Sequence, residues 1–198
     1  IEDFHKTIIN DLFDENDQIY KEIDILLGEL SWFLARNTSQ RYNYVYDQII
    51  CFGELLSTKI VSAYLTKIGI ENKWFDVRNY IKTDSNYRDA KVDWVLTKET
   101  ISNKLDASKL NITQGFIAAN DTENTTTLGR EGSDYTAGIF AYCLNAESVT
   151  IWKDVSGVLN ADPRVFEDTT LLTQISYEEA IEMAFYGASV IHPKTLQP

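Results

Sequence analysis

Apolar side chains recur at helical spacing along the first part of the chain. Between residues 1 and 46 they fall every three or four positions among acidic residues, at Ile8, Leu12, Ile19, Ile23, Leu26, Leu27, Leu30 and Leu34. A period near 3.6 residues is typical of amphipathic helices. The polar run Asp-Glu-Asn-Asp-Gln at 14–18 interrupts this period. The pattern therefore predicts two helices in this part of the chain.

Helical and extended patterns alternate over the remainder of the chain. A longer helix over residues 46–69 is predicted to end at Gly69, and Ser176 with Glu179 forms a capping-box pattern that starts a helix ending at Gly187. Other helices are predicted in the second half of 85–105 and over 134–147, and strands over 72–78, 111–121, 148–152 and 188–193. This order favours one domain of the α/β class.

The composition of the chain argues against some classes of binding partner. The chain has 198 residues and a formal net charge of −12, which argues against non-specific binding to nucleic acid or to an anionic membrane surface. No apolar run reaches about 18 residues, so no membrane span is predicted. Cys51 and Cys143 lie in apolar helical patterns without metal-ligand spacing, and we expect buried, reduced thiols in a cytoplasmic protein.

The two ends of the sequence do not resemble natural termini. The chain opens on Ile-Glu-Asp-Phe without an initiator methionine, in what the pattern predicts to be the middle of a helix. It closes shortly after a predicted strand. We therefore expect it to be a portion of a longer protein.

A loop with two glycines offers the first candidate site. Three threonines precede Leu-Gly-Arg-Glu-Gly-Ser-Asp at 128–134, and a helix is predicted to follow. Glycines allow backbone N–H groups to approach a ligand, and a helix N-terminus favours an anion. Arg130 can bind a carboxylate or phosphate through two hydrogen bonds. The alternative is a β-α turn in which Ser133 or Asp134 caps the helix.

Two further stretches carry candidate residues. Asp154 ends a predicted strand, and Arg164 follows in the same loop, where α/β sheets bind ligands. The alternative there is an Asp-Pro turn with a surface arginine. Glu54 could accept a hydrogen bond from a substrate amine, or could be a solvated helix carboxylate. The single histidines, His5 and His192, do not form a metal-binding pair.

Taken together, these stretches resemble the catalytic domain of aspartate kinases, in the amino-acid-kinase superfamily. The matching segments run in the order GELLST, WFDVR, TQGFIA, TTTLGREGSDYTA, IWKDVSGVLNADPR and ISYEEAIEMAFYGASVIHP, over roughly residues 49–193. The resemblance implies a three-layer α/β/α fold of the carbamate-kinase type, here incomplete, with residues 1–46 as a helical insert and 47–198 as the α/β portion. GELLST is more similar to the monofunctional, lysine-sensitive type.

The resemblance also implies a reaction. ATP, with Mg²⁺, would donate its γ-phosphoryl group to the side-chain carboxylate of L-aspartate and give 4-phospho-L-aspartate, the first step towards lysine, threonine and methionine. Two like charges about 4 Å apart repel by about 4 kcal/mol at an effective dielectric near 20. Catalysis therefore depends on positioning and charge neutralisation. The full-length protein is expected to be a homo-oligomer without nucleic-acid or membrane partners.

Site residues follow from the resemblance, position by position. Glu54 would hold the substrate amino group, Arg130 a substrate carboxylate, and Ser133 would help to position the substrate. Asp134 would orient a phosphate-binding lysine. The nucleotide site would be lined by Lys153, Asp154, Leu159, Arg164, Ser189 and Val190. Leu159 stands where many members carry an aromatic residue, and Ser189 where many carry a lysine.

The resemblance leaves parts of the family pattern unmatched. The family begins with a KFGGTS strand and loop that supplies the principal catalytic lysine, and ACT domains follow the catalytic domain. This sequence contains neither, so we expect the chain to be inactive alone. Two alternatives stay open, namely another amino-acid kinase with a different acceptor and a non-catalytic module that binds an amino acid or a partner.

Overall fold

Three helices form the first part of a computed structural model that describes residues 1–187 and 190–196. They are α1 (Glu2–Leu12), α2 (Gln18–Arg36) and α3 (Tyr42–Lys67). The Asp17 carboxylate caps α2 by accepting a hydrogen bond from the Ile19 amide. Gly69 follows α3 with φ of +85°, as predicted. The two helices predicted before residue 46 are confirmed, and α3 runs through that residue, so a domain division there stays a prediction.

The helices bury one apolar face in a shared core. α2 packs on α3, and α1 packs on both. Ile9, Ile23, Leu55 and Leu56 have no exposed surface. Burial of a leucine or isoleucine side chain contributes about 1.5–3 kcal/mol, so this contact accounts for much of the stability of the helical part.

Two short sheets precede the candidate site along the chain. β1 (Lys73–Trp74) runs parallel to β2 (Asn111–Ile112), and β3 (Ile117–Ala119) runs antiparallel to β4 (Thr125–Thr127). The register pairs Ala118 with Thr126. All residues of β3 and β4 are buried, and α3 packs against β4 and β1. The sheets therefore fix where the loop after β4 emerges.

Three more helices complete the described elements. α4 (Trp94–Lys104) packs against α5 (Gly132–Leu144), and α6 (Tyr177–Phe185) lies near the end of the chain. Ser176 and Glu179 form the predicted capping box at the start of α6. Cys51 and Cys143 are both buried free thiols, as predicted, and burial raises the pKa of Cys51 to about 11.

Some predicted strands are wrong. Residues 148–152 form no strand, and Trp152 is 91% exposed. A strand is held by hydrogen bonds to a neighbouring strand, and no described segment supplies a partner at this position. Residues 190–192 are a turn and bend rather than a strand, and 188–189 lie outside the described residues. The strand predicted over 111–121 is divided between two sheets, because Phe116 turns the chain with φ of +70°.

Helix α3 is the one helix in the described part of the chain that could cross a membrane by length and composition. Asp47, Glu54 and Lys59 interrupt its apolar residues, so the observation that no uninterrupted apolar run reaches about 18 residues is unchanged. Core helices can pass the same test, and α3 buries Asp47, Phe52 and Leu56 within this structure. The absence of a membrane partner stays a prediction.

Candidate active site

The predicted two-glycine loop connects β4 to α5 and is called here the glycine loop, residues 128–134. Gly129 has φ of +82°, and a Cβ at this position would lie 2.7 Å from Asp89 Oδ1. A Cβ at Gly132 would lie 2.7 Å from Phe116 Cδ2. Both positions therefore require glycine. Leu128 is fully buried and anchors the start of the loop.

Helix α5 begins at Gly132, two residues earlier than predicted, and has no side-chain cap. Its N-cap residue is Glu131, in the left-handed conformation with φ of +52°. The alternative in which Ser133 or Asp134 caps the helix is therefore wrong. A helix N-terminus without a side-chain cap presents its first amides to a ligand or to water.

Lys153 approaches two carboxylates of this loop. Its Nζ lies 2.5 Å from Asp134 Oδ2 and 3.6 Å from Glu131 Oε2. Both carboxylate oxygens are buried, and neither accepts a hydrogen bond of regular geometry, so the contact is an ion pair. The Asp134 carboxylate raises the pKa of the Lys153 ammonium. The structure thus brings together Asp134 and Lys153, two of the predicted site residues.

Arg130 projects from the glycine loop into an open cleft of about 740 Å³. The guanidinium is exposed and forms no ion pair or hydrogen bond with the described residues. The cleft also contains Arg88, Lys91 and Lys194, with Asp89 as its one carboxylate among the described lining residues. The local charge is positive although the chain as a whole carries −12. An anion would therefore be attracted to this cleft.

Ser133 and Glu54 are linked through a chain of contacts. A Cβ at Gly115 would lie 2.8 Å from Ser133 Cβ, so the backbone of Gly115 packs directly on Ser133. The neighbouring Gln114 is fully buried and donates to Thr58 Oγ1 at 2.9 Å. Thr58 lies one turn along α3 from Glu54, to whose carbonyl it donates. Residues 114 and 115 therefore connect α3, which carries Glu54, to the start of α5, which carries Ser133.

The Glu54 carboxylate is half-buried and accepts no hydrogen bond from the described residues. Burial raises its pKa. A cation such as a substrate ammonium would restore the lost solvation, because an opposite charge stabilises the ionised carboxylate.

A second cavity, of about 610 Å³, lies between the loop after residue 155 and the end of α6. Leu159, Arg164 and Val190 line it, as the resemblance implied for the nucleotide site. Arg164 donates to both carboxylate oxygens of Asp162, at 3.0 and 2.7 Å, and this contact lowers the pKa of Asp162 to about 2.

Three residues predicted for the nucleotide site are not among the described residues that line this cavity. Lys153 pairs with Asp134 instead. Asp154 is exposed and does not contribute to the cavity wall. Ser189 lies outside the described residues.

Sequence reasoning missed two residues that support the glycine loop. Asp47 is fully buried and accepts hydrogen bonds from the Thr127 and Arg88 amides, each at 2.9 Å. Lys194 donates to the Leu128 carbonyl at 2.9 Å and to Asp89 at 2.8 Å. The signal for Asp47 was its charge within the apolar helical run Val-Tyr-Asp-Gln-Ile-Ile, since a buried carboxylate requires partners.

Comparisons with known proteins agree with this geometry. The model of the amino acid kinase family matches residues 8–198. Lysine-sensitive aspartokinase 3 of Escherichia coli is 38% identical over 184 residues, which are 91% of this chain and 41% of the relative. A bifunctional aspartokinase/homoserine dehydrogenase of Arabidopsis thaliana is 35% identical over 206 residues, which cover 98% of this chain and 22% of the relative.

Solved structures show the same likeness. E. coli aspartokinase III in complex with aspartate and ADP superposes with a TM-score of 0.90 at 36% identity, over 100% of this chain and 44% of that one. Clostridium acetobutylicum aspartate kinase gives a TM-score of 0.73 at 25% identity, over 99% of this chain and 41% of that one. The chain spans less than half the length of these relatives. The α/β class predicted from the sequence is confirmed, and the chain belongs to the amino acid kinase family.

Proposed function

We propose that the full-length protein is an aspartate kinase, which transfers the γ-phosphoryl group of ATP to the side-chain carboxylate of L-aspartate. The observation that carries this proposal is the Arg130 guanidinium, which stands without a described partner in a cationic cleft. It is supported by the likeness to a solved aspartokinase that holds aspartate and ADP. The 198-residue chain is then a part of the catalytic domain and is inactive alone.

The substrate amino acid would bind at the glycine loop. Arg130 would hold the α-carboxylate through two charge-assisted hydrogen bonds. Glu54, whose carboxylate is half-buried without a described partner, would hold the α-ammonium. Ser133 would help to position the substrate from the first turn of α5. An acceptor with one carboxylate bound in this way directs its second carboxylate towards the phosphate donor.

The nucleotide would occupy the 610 Å³ cavity. Leu159 and Val190 offer apolar contact to a base, and Arg164 offers a cation to phosphate oxygens. Lys153, Asp154 and Ser189 are proposed to complete this site. The described residues contain no group of three or more histidine, cysteine or acidic side chains placed to hold a metal ion. Mg²⁺ is therefore proposed to arrive with ATP as part of the nucleotide substrate.

The chemical step needs no protein nucleophile. An oxygen of the substrate carboxylate attacks the γ-phosphorus, the bond from phosphorus to the β,γ-bridging oxygen breaks, and ADP leaves with the electron pair. The protein neutralises charge and holds the two substrates in line. Asp134 holds the Lys153 ammonium in place beside the first turn of α5, where it can face phosphate oxygens.

The test is a comparison of acceptors with the full-length protein. Mg-ATP is supplied with aspartate, glutamate or UMP, and hydroxylamine traps any acyl phosphate as a hydroxamate. ADP release is followed in parallel, because a nucleotide product is not trapped. We expect product with aspartate only. Product with another acceptor would assign a different kinase of the family, and no product with any acceptor would favour a non-catalytic binding module.

Two further properties belong to the same proposal. The full-length protein is proposed to be a cytoplasmic homo-oligomer that binds neither nucleic acid nor membranes. Sedimentation of the full-length protein would measure its assembly state. The purified 198-residue chain serves as the negative control in the acceptor assay.

A further inference from the structure

A buried carboxylate connects three separate segments next to the glycine loop. Asp47 lies in the second turn of α3 and has no exposed surface. Its Oδ2 accepts hydrogen bonds from the amides of Thr127 and Arg88, and its Oδ1 accepts one from Thr127 Oγ1, all at 2.9 Å. Thr127 and Arg88 are 80 and 41 residues away in sequence. The carboxylate therefore joins α3, the last residue of β4 and the turn at Arg88.

The turn at Arg88 in turn touches the glycine loop. Arg88 has φ of +72°, and the Ala90 amide donates to the Thr127 carbonyl at 2.9 Å. Asp89 lies so close to Gly129 that a Cβ there would clash with its carboxylate. Asp47 thus holds both walls between which the loop begins.

Arg130 depends on this arrangement. Its side chain makes no ion pair or hydrogen bond with any residue that the structure describes, so the backbone of the loop sets the region that the guanidinium can reach. A shift of the strand end at Thr127 or of the turn at Arg88 moves Gly129 and, with it, Arg130.

We propose that Asp47 is a positioning residue, which sets the location of Arg130 by clamping Thr127 and Arg88. The kinetic part of this inference rests on the proposed function. Asp47 does not touch the substrate in this role, since it is buried behind the loop. Its effect falls on the binding of the carboxylate substrate and leaves the separate nucleotide cavity unaffected.

The donors around Asp47 make a selective substitution possible. In D47N the amide oxygen can accept from both backbone amides, and the amide NH₂ can donate to Thr127 Oγ1, because a hydroxyl both donates and accepts. In D47A all three hydrogen bonds are lost. In T127V only the side-chain hydrogen bond is lost. The three variants therefore remove none, one or all of the hydrogen bonds of residue 47 and leave Arg130 unchanged.

The first measurement is hydrogen–deuterium exchange on the full-length protein, which requires no substrate. We expect exchange of the peptide spanning 125–131 to accelerate about tenfold or more in D47A and to stay near wild type in D47N. The peptide spanning α4 serves as the internal control. Unchanged exchange at 125–131 in D47A overturns the inference. If D47A does not fold, the same measurement is made on T127V. We expect faster exchange at 125–131 in that variant, and unchanged exchange would overturn the inference.

The second measurement is steady-state kinetics on the same variants. We expect D47A to lower kcat/KM for aspartate by roughly 100-fold, which a misplacement near 1 Å can cause, with KM for ATP within about twofold of wild type. D47N is expected to restore the aspartate value. Equal loss for both substrates would indicate a general structural role and overturn the inference. A wild type without aspartate turnover would instead overturn the proposed function, and the exchange result would still decide on the clamp.

Discussion

The Lys153 ammonium lies 2.5 Å from Asp134 Oδ2, although most of α5 separates the two residues along the chain. The contact fastens the loop after residue 152 to the first turn of α5. It also balances the charge of Glu131, whose carboxylate is 3.6 Å away. The glycine loop and the segment that leads to the 610 Å³ cavity are therefore held together by one side chain.

Replacing Lys153 by methionine is expected to destabilise the fold. The variant leaves two largely buried carboxylates, at Glu131 and Asp134, without their cation. Loss of one partner from a buried ion pair costs about 3–5 kcal/mol, and partial exposure reduces this to about 1–2 kcal/mol. Urea unfolding would measure it, with K21M on the exposed face of α2 as control. The double variant D134N/K153M should recover part of the loss, and strict additivity would contradict the pairing.

The same pair predicts a dependence on alkaline pH. Asp134 raises the pKa of Lys153 above its ordinary 10.5. Stability from the pair is then complete below pH 10.5 and is lost as the pH rises through the raised value. The difference in unfolding free energy between wild type and K153M should therefore shrink above pH 10.5. A difference that stays constant across this range would show that packing, rather than charge, accounts for it.

Asp47 predicts a pH dependence of the same sign, but in the acidic range. Burial raises its pKa from the ordinary 3.8, although the hydrogen bonds from Arg88 and Thr127 and the Arg88 charge lower it; Cys51 and Tyr87 are the other titratable neighbours. The folded state then holds the proton more tightly than the unfolded state. The unfolding free energy of wild type should fall relative to that of D47N as the pH rises from 3.8 to just above the raised pKa of Asp47. At higher pH the difference between the two proteins should stay constant. Melting temperatures of both proteins across this range would test it.

Gly115 is expected to tolerate no side chain. A Cβ would lie 2.8 Å from the Ser133 Cα, which is backbone and cannot turn aside. G115A should therefore displace the start of α5 and cost about 1–3 kcal/mol. The matched control is G53A, because Gly53 lies inside α3 with nothing within 4 Å of its Cβ position. That control should stabilise the chain by about 0.5–1 kcal/mol. Equal melting temperatures for G115A and wild type would contradict the close packing.

The sequence predicts those features whose causes are local. The glycine after α3 and the capping box at Ser176 each act within a few residues, and both are confirmed. The strand expected at 148–152 depends on a partner strand, which the local pattern cannot reveal. The resemblance to aspartate kinases supplied the site residues, because spacing alone left a cap or a turn as equal alternatives.

The supporting residues could not be predicted because their partners are remote in sequence. Asp47 reaches Thr127 over 80 positions, and Lys194 reaches Leu128 over 66. A charged residue within an apolar helical pattern indicates only that some partner exists. The identity of that partner follows from the packing of α3 on β4, which is a property of the whole fold.

Arg130 and Arg164 should affect different substrates. Arg130 has no described partner and is proposed to hold the aspartate carboxylate, so R130A in the full-length protein should raise KM for aspartate about 10–100-fold, as expected for two charged hydrogen bonds. Arg164 is proposed to face the nucleotide, but it is 82% exposed and shares its charge with Asp162. R164A should therefore raise KM for ATP by a smaller factor, about threefold to tenfold.

The decisive part of this prediction is that the two variants affect the KM of different substrates. Initial rates are measured over a matrix of aspartate and ATP concentrations for both variants, with R36A at the end of α2 as a control for the loss of a surface arginine. Each KM should respond to one variant only, because Arg130 and Arg164 line different cavities. If both variants raised both KM values alike, the assignment of the 740 Å³ cleft to the amino acid and of the 610 Å³ cavity to the nucleotide would be wrong.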